Sequence, residues 1–473
     1  MKAKTLDVVD SAIDPKEFFT KYVQTRTPVV IKGLVRDEGF LASRWTDLEY
    51  LSEKAGHVNV QVEPIHPGLK QFGTDVERIE MKFSEFLNGL KREDGDWRYL
   101  TTQYSADPSD GGLDTDGDGE GGEITTYPPP ANALRDDFPS APKITGNLVL
   151  QQVNLWVGRS KNGASSGLHH DFHDNLYCLL AGHKRFVLFP PTQAPNLYPH
   201  GKIDAIHPNG LISYEHNVVR PDGLDAREAV RFRIKALEKK LATTKGRKEK
   251  KKLEALLGEA IDAEMDLLVE EGGDDDFAGM DLDEDEDGDE GWSGDEDSDD
   301  VQEDDGSVVS SRSKGKGKAR AMNEDPDDGG EPSSFSRIPT SLLHRHLSLP
   351  TTAISMDSET STRFDLPNTS MPFVVEIDPG EMLYLPASWW HEVTSSSPDK
   401  NKSNVHMAFN YWFYPPDGLK DFDEPYRDEI VWGYLRSKAN GVLHSEETEQ
   451  RPSSSKRKRD ADGGSKKAKK AKK

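Results

Sequence analysis

Residues 167–186 read GLHHDFHDNLYCLLAGHKRF and place four histidines and two aspartates beside an apolar run. Side chains of a β-strand alternate between two faces, so in a strand His169 and Asp171 point to one face and His170 to the other. A His-x-Asp pair offers one imidazole and one carboxylate to a metal ion, and a further ligand must then come from elsewhere in the fold. The other histidines are expected at the surface or behind the ligands, namely His170, His173 and His183.

Two blocks of short strands with tight turns surround this segment. The first contains NLVLQQVNLWVG (147–158), NLYCLL (175–180) and KRFVLFPP (184–191), and the second, residues 373–414, contains FVVEI, MLYLP and VHMAFNYWFY. Short strands without intervening helices favour an antiparallel barrel or sandwich. Because the two blocks are alike, we expect them to share one core.

The second block offers one candidate for the third ligand, and the other histidine of this block in a strong strand pattern is His406. In PGEMLYLPASWWHEV (379–393) a strand ends near Leu385, and His391 opens the next strand beside two tryptophans. Together with His169 and Asp171 it forms the two-histidine, one-carboxylate set that suits nonhaem Fe(II) and leaves three coordination positions open. Trp389 and Trp390 are expected in the core and the pocket wall.

Polar residues continue the pattern around this set. Asn175 and Tyr177 extend the even spacing of His169 and Asp171, and Lys184 on the following strand is a cation with no acidic neighbour in sequence. The single cysteine, Cys178, is flanked by apolar residues and is expected to be a buried small side chain.

These motifs resemble the JmjC-domain family of cupin-fold 2-oxoglutarate oxygenases. The similarity is closest to the small JmjC hydroxylases described as bifunctional peptidase and (3S)-lysyl hydroxylase. It covers roughly residues 12 to 220 and 335 to 425. Its matching stretches are TPVVIKGL, RYLTTQY, VNLWVG, LHHDFHDNLYCLLAGHKRFVLFPP, GEMLYLPASWWHEV and FNYWFY. The resemblance implies a mainly β double-stranded β-helix (jelly roll) with flanking helices and a long helical and disordered insertion.

The resemblance also implies a ligand set, with Fe(II) held by His169, Asp171 and His391 and with O2 as the oxidant. Lys184 would bind the far carboxylate of the cosubstrate 2-oxoglutarate. The other implied contacts of the cosubstrate are Tyr99, Ser166, Asn175 and Asn410. Charge supports the lysine, because Fe(II) with one aspartate leaves one positive charge, the cosubstrate adds two negative charges, and one buried ammonium brings the sum to zero.

The implied activity is that of a 2-oxoglutarate-dependent dioxygenase that hydroxylates a protein. Its implied substrate is a lysine in a GTP-binding protein of the developmentally regulated class. Three alternatives stay open: histone or protein lysine demethylation, the peptidase activity claimed for similar proteins, and a noncatalytic scaffold whose acidic tract binds histones. No separate zinc motif or Ser/His/Asp grouping supports the peptidase, and an intact His169, Asp171, His391 and Lys184 argues against a decayed site.

Composition places the charge of the chain in one tract. Residues 270–305 hold 21 Asp and Glu and no Lys or Arg, so the remaining residues carry only −4 of the net −25. One cysteine excludes an internal disulfide and fits a reducing compartment. The first residues lack an apolar signal sequence and no run of about 18 apolar residues occurs. The sequence therefore predicts a soluble intracellular protein, without a membrane partner.

The predicted organisation has six parts: an N-terminal supporting region (1–145), the first half of the barrel (146–221), an insertion that is helical and then acidic and disordered (222–332), the second half of the barrel (333–425), a C-terminal helix (426–445) and a basic disordered tail (446–473). The tail sequence KRKRDADGGSKKAKKAKK (456–473) carries two basic clusters, which indicates binding to a nuclear import receptor, with nonspecific nucleic-acid contact as the alternative. We therefore expect the protein in the nucleus and the cytoplasm. The acidic tract is a candidate surface for a basic protein partner.

Overall fold

A computed structural model describes residues 4–66, 72, 76–92, 98–103, 126–160, 163–272, 332–350, 364, 366, 372–397 and 404–438. Within these ranges no helix has both the length and the apolar character needed to cross a membrane. The acidic part of the insertion beyond residue 272, the end of the predicted C-terminal helix and the basic tail fall outside them.

The described residues contain fifteen β-strands and six α-helices. The strands are β1 (Asp7–Asp10), β2 (Val29–Lys32), β3 (Asn59–Pro64), β4 (Ile79–Lys82), β5 (Arg98–Leu100), β6 (Leu150–Gly158), β7 (Ala164–His169), β8 (Asp174–Ala181), β9 (His183–Phe189), β10 (Ile203–Ile206), β11 (Ile212–Tyr214), β12 (Phe373–Ile377), β13 (Glu381–Leu385), β14 (Trp390–Ser396) and β15 (His406–Phe413). The α-helices are α1 (Pro15–Phe18), α2 (Leu48–Ala55), α3 (Phe83–Leu90), α4 (Ala226–Thr243), α5 (Arg247–Gly272) and α6 (Thr340–His346). Helix α1 continues as a wider π-helical turn over Phe19–Val23, and residues 429–438 are also helical.

Two sheets built from both halves of the barrel face each other. One has nine strands in the order β1-β2-β13-β8-β15-β6-β5-β3-β4, and the other has four in the order β12-β9-β14-β7. All pairs in these two sheets are antiparallel except β1 with β2. This is the predicted double-stranded β-helix, and the fold prediction is confirmed.

The hairpin between β8 and β9 connects the two sheets. Its turn is the AGH sequence, in which Gly182 has a φ of +81°. A Cβ atom at this position would lie 2.7 Å from the Cα of His406 and 2.8 Å from the carbonyl oxygen of Ser396. Only glycine accepts this φ and this close approach without strain. The turn therefore fixes Lys184, two residues later, near the start of β9.

The central strands β8 and β15 of the nine-stranded sheet are buried on both faces. The outer face of this sheet packs against the N-terminal helices through a large apolar cluster that includes Phe18, Trp45, Phe83, Cys178 and Phe409. Cys178 is fully buried, and burial raises the pKa of its thiol, as expected of an inert core residue. The inner face meets the four-stranded sheet, where Trp389 packs, while Trp390 packs on the outer side of the smaller sheet.

The insertion begins with a helical hairpin. Helices α4 and α5 pack on each other, and α4 starts with a capping box formed by Asp225 and Glu228. Four large apolar side chains near the end of α5 are exposed, namely Ile261, Met265, Leu268 and Val269. The N-terminal region is no separate layer, because β1 to β5 extend the nine-stranded sheet of the barrel.

Candidate metal centre

Three predicted ligands come together where β7 and β14 pair. His169 is the last residue of β7 and lies directly opposite His391 of β14, with ring centroids 4.3 Å apart. The Nε2 atom of His391 lies 3.6 Å from Oδ2 of Asp171. One potential donor atom from each of the three side chains lies within 4.8 Å of the other two. The described part of the chain contains one such cluster of His, Cys, Asp or Glu.

Backbone carbonyls fix which nitrogen of each imidazole is free. Nδ1 of His169 lies 3.1 Å from the carbonyl oxygen of Gly167, and Nδ1 of His391 lies 2.8 Å from that of Trp389. In this pairing each Nδ1–H donates to a carbonyl, so each Nε2 keeps its lone pair for a metal ion. Burial, and then the neighbouring His391, lower the pKa of His169 to about 4, so the ring is neutral at pH 7, as a ligand must be.

These side chains fit a nonhaem Fe(II) ion. Two imidazoles and one carboxylate on one side of the ion are the donor set that this metal takes in oxygenases. The donors converge on a cavity, so the remaining coordination positions would face open space.

The local structure behind Asp171 differs from the sequence-based expectation. Strand β7 ends at His169 and β8 begins only at Asp174, so the alternation of a single strand does not place Asp171. An irregular bend does so, and the backbone N–H of Ser388 donates to the carbonyl of Asp171 at 2.8 Å.

The other three histidines of the opening segment stay away from the cluster. His170 is buried with Nε2 2.7 Å from the hydroxyl of Tyr214, and His173 packs against Trp412. Burial lowers the pKa of His170 to about 3 and of His173 to about 4. His183 lies partly exposed at the β8–β9 turn.

A buried cation lies in the same cavity as the metal cluster. The cavity has a volume of about 610 Å³, which includes open solvent at its mouth, and Lys184 lines it with 1% of its surface exposed. Its Nζ donates to the hydroxyl of Tyr99 at 3.1 Å and to Ser395 Oγ. Burial lowers the pKa of Lys184 to about 7. Tyr99 is itself buried, with its hydroxyl inside the cavity beside Lys184.

The remaining predicted contacts divide into two groups. Ser166 and Asn175 line the cavity. Asn410 lies behind the wall and, contrary to the prediction, does not line the cavity. Asn410 donates from Nδ2 to Oδ1 of Asn175 at 3.0 Å, and its Oδ1 accepts from the indole N–H of Trp156 at 2.9 Å. Asn410 therefore orients Asn175, and a ligand would meet only the latter.

Several lining residues escaped the sequence analysis. Ser395 follows His391 at even spacing in β14, so the rule that led from His169 to Asn175 would have found it. The same spacing reaches Val393 in β14 and Phe186, two residues after Lys184 in β9. The rest of the apolar wall had no comparable signal, because its members come from distant strands and loops: Phe72, Trp156, Leu383 and Leu385.

Comparison with known proteins agrees with this fold. The family described as cupin-like domain matches residues 15–418. JmjC domain-containing protein 4 of Schizosaccharomyces pombe is 39% identical over 425 residues, which cover 89% of this chain and 86% of that protein. The chain therefore belongs to the cupin-like family of JmjC-domain proteins.

More distant relatives share only part of the chain. Lysine-specific demethylase JMJ31 of Arabidopsis thaliana is 27% identical over 209 residues, which cover 40% of this chain and 37% of that protein. The tRNA wybutosine-synthesizing protein 4 of Neurospora crassa is 27% identical over 189 residues, which cover 39% of this chain and 14% of that protein. Relatives of similar distance thus carry names of different activities.

Proposed function

We propose that this protein is an Fe(II)- and 2-oxoglutarate-dependent oxygenase that acts on a protein side chain. The observation that carries the proposal is one cavity that holds both the cluster of His169, Asp171 and His391 and the buried ammonium of Lys184. A metal-binding cluster alone fits many activities. A buried cation beside it fits a cosubstrate that binds the metal at one end and carries a carboxylate at the other.

Different residues of the chain would have different roles in such a reaction. The bound Fe(II), with 2-oxoglutarate and O2, supplies the oxidation of a C–H bond and releases succinate and CO2. Lys184 would hold the far carboxylate, and Tyr99 and Ser395, already hydrogen-bonded to Lys184, fix the direction of its ammonium. The apolar walls exclude water from the reacting atoms and keep the cosubstrate in a single orientation.

For the substrate, we propose lysyl hydroxylation in a GTP-binding protein of the developmentally regulated class. Support comes from the sequence motifs shared with lysyl hydroxylases of the family. A second candidate is demethylation of a methylated lysine, which is favoured by two relatives named as lysine-specific demethylases. Both reactions use the same metal centre, so the product distinguishes them.

Cellular placement and partners are further proposals. The two basic clusters of residues 456–473 would bind a nuclear import receptor, and the acidic residues between 270 and 305 would attract a basic protein partner. Both proposals rest on charge in the sequence.

The test measures the metal centre first and the substrate second. Without air, the wild-type protein with Fe(II) and 2-oxoglutarate should show a weak visible charge-transfer band, and in air it should release succinate. Asp171→Ala should lose both, because two imidazoles alone hold Fe(II) weakly. The control is Asp204→Ala, an exposed aspartate of β10. Absence of the band with metal present, or unchanged succinate release by Asp171→Ala, contradicts the proposal.

Mass spectrometry of candidate peptides then identifies the reaction. A lysine peptide of the GTP-binding protein should gain one oxygen, and the Asp171→Ala protein should leave it unchanged. Loss of a methyl group from a methylated lysine peptide, with release of formaldehyde, would instead support the demethylase. Succinate release with neither product would refute both substrates while leaving the oxygenase proposal intact.

A further inference from the structure

The chain returns from the insertion beside a metal ligand. Residues 334–336 lie along the outer edge of β7, which is otherwise the last strand of the four-stranded sheet. The backbone N–H of His170 donates to the carbonyl of Ser334 at 3.1 Å, and that of Ser336 donates to the carbonyl of Leu168 at 2.8 Å. Phe335 thus lies directly opposite His169, in an antiparallel bridge.

The ring of Phe335 lies flat on the imidazole of His169. The ring centroids are 4.9 Å apart and the planes differ by only 17°. The imidazole also has a close neighbour in His391, with centroids 4.3 Å apart. Without a stacking partner, the hydrogen bond of Nδ1 to Gly167 would leave the ring free to rock, because the second side-chain torsion of histidine has broad minima.

Phe335 is itself held firmly on its other side. The backbone N–H of His200 donates to the carbonyl of Phe335 at 2.9 Å, and that of Gly201 donates to the carbonyl of Ser333 at 3.0 Å. Further along, Ile338 and Leu343 are buried in the apolar cluster that includes Leu168 and Trp390. The segment is therefore fixed from both sides, and its ring can restrain the side chain that it covers.

We propose that Phe335 is a positioning residue for the metal ligand His169. Its ring fixes the plane of the imidazole so that Nε2 points at the metal. The inference rests on the metal centre of the proposed function. Residues that orient metal ligands typically change metal affinity about 10- to 100-fold when they are replaced, and we expect a loss in this range.

The experiment compares two substitutions of one side chain. Phe335→Leu keeps an apolar side chain over the sheet edge but removes the flat ring, whereas Phe335→Tyr keeps the ring. The matched control is Phe373→Leu, a partly buried phenylalanine on β12, the opposite edge strand of the same sheet. Each full-length protein is titrated with Co(II), and the dissociation constant and visible spectrum of the bound ion are recorded. Melting of the metal-free proteins shows that each variant is folded.

We expect Phe335→Leu to bind Co(II) about 10- to 100-fold more weakly and with an altered spectrum. Phe335→Tyr and Phe373→Leu should match the wild type. If Phe335→Leu binds with the wild-type affinity and spectrum, Phe335 only covers the sheet edge and the inference is overturned. The same holds if Phe335→Tyr loses as much affinity as Phe335→Leu. If the wild type itself binds no Co(II) at a site lost in Asp171→Ala, the proposed function fails, and this inference with it.

Discussion

Lys184 is a charged residue that the fold buries without a carboxylate partner among the described side chains. Its ammonium meets two hydroxyl groups, those of Tyr99 and Ser395, and burial is the cause of its lowered pKa. Hydroxyl groups satisfy the donors of an ammonium but leave its charge uncompensated in a medium of low dielectric constant. The site is thus suited to an anion, because a bound anion would compensate the positive charge of the Lys184 ammonium.

This state of Lys184 predicts how cosubstrate affinity depends on pH. The pKa of Lys184 is about 7 in the free protein, and only the ammonium attracts a carboxylate. Below pH 7 the affinity for 2-oxoglutarate should be constant with respect to this group. Above pH 7 it should fall, approaching about tenfold per pH unit, because binding must then include uptake of a proton. Calorimetric titration of the Co(II)-loaded protein with 2-oxoglutarate between pH 6 and pH 9 measures this pH dependence of the affinity.

Lys184→Arg is the matched variant for this prediction. A guanidinium keeps its charge over the whole pH range, so the affinity of the variant for 2-oxoglutarate should not show the pH dependence caused by ionisation of Lys184. The affinity itself should be weaker, because the larger guanidinium fits the site less well than the ammonium. An equal slope in both proteins would assign the pH dependence to another group.

At the scale of residues, the sequence analysis identified the ligands better than their surroundings. Even spacing selected His169 and Asp171 together, although the chain bends between them and the strand argument does not apply to Asp171. Even spacing in β14 would have added Ser395. Phe335 had no signal at all, because its role depends on contact with a residue 166 positions away, which no local periodicity records.

Among the elements, the turn between β13 and β14 depends on a buried ion pair. Asp174, at the start of β8, accepts two hydrogen bonds from the guanidinium of Arg26, one from the hydroxyl of Tyr384 and one from the backbone N–H of Ala387. Ala387 belongs to the turn that precedes His391. The carboxylate therefore links the N-terminal helix region, β8 and the turn that delivers the third metal ligand.

Loss of Arg26 should be costly for this link. Arg26→Met leaves the fully buried carboxylate of Asp174 without its cation, and breaking a buried pair on one side costs about 3 to 5 kcal/mol. The control is Arg36→Met, since Arg36 pairs with Asp10 at the surface and such pairs contribute about 0 to 1 kcal/mol. Urea denaturation of the metal-free proteins gives both free energies of unfolding. A cost for Arg26→Met as small as that of the control would contradict the role assigned to the buried pair.

The whole molecule closes one barrel from two distant parts of the sequence. Short strands with tight turns predicted each part, and the similarity of the two blocks predicted a common core. The position of β13 between β2 and β8 confirms this common core. The order of strands was outside the reach of the sequence, because it depends on pairings across the insertion. The sequence also could not predict that the sheet continues into β3, β4 and β5, because these short strands show little hydrophobic periodicity.

Residues 273–331 separate the end of α5 from the segment that covers β7. A flexible Gly/Ser linker of about 20 residues has a root-mean-square span of roughly 25 Å, and exchanging the 59 residues for it changes the loop-closure free energy by only about 1 kcal/mol. We therefore expect the shortened chain to bind Co(II) with the wild-type dissociation constant and to release succinate at the wild-type rate with a short peptide. The linker removes the charge of the acidic tract. Unchanged Co(II) binding and succinate release would therefore mean that the barrel does not need this charge and that the tract serves partners. Weaker Co(II) binding in a chain that still melts cooperatively would instead show that residues within 273–331 contribute to the placement of Phe335 and His169.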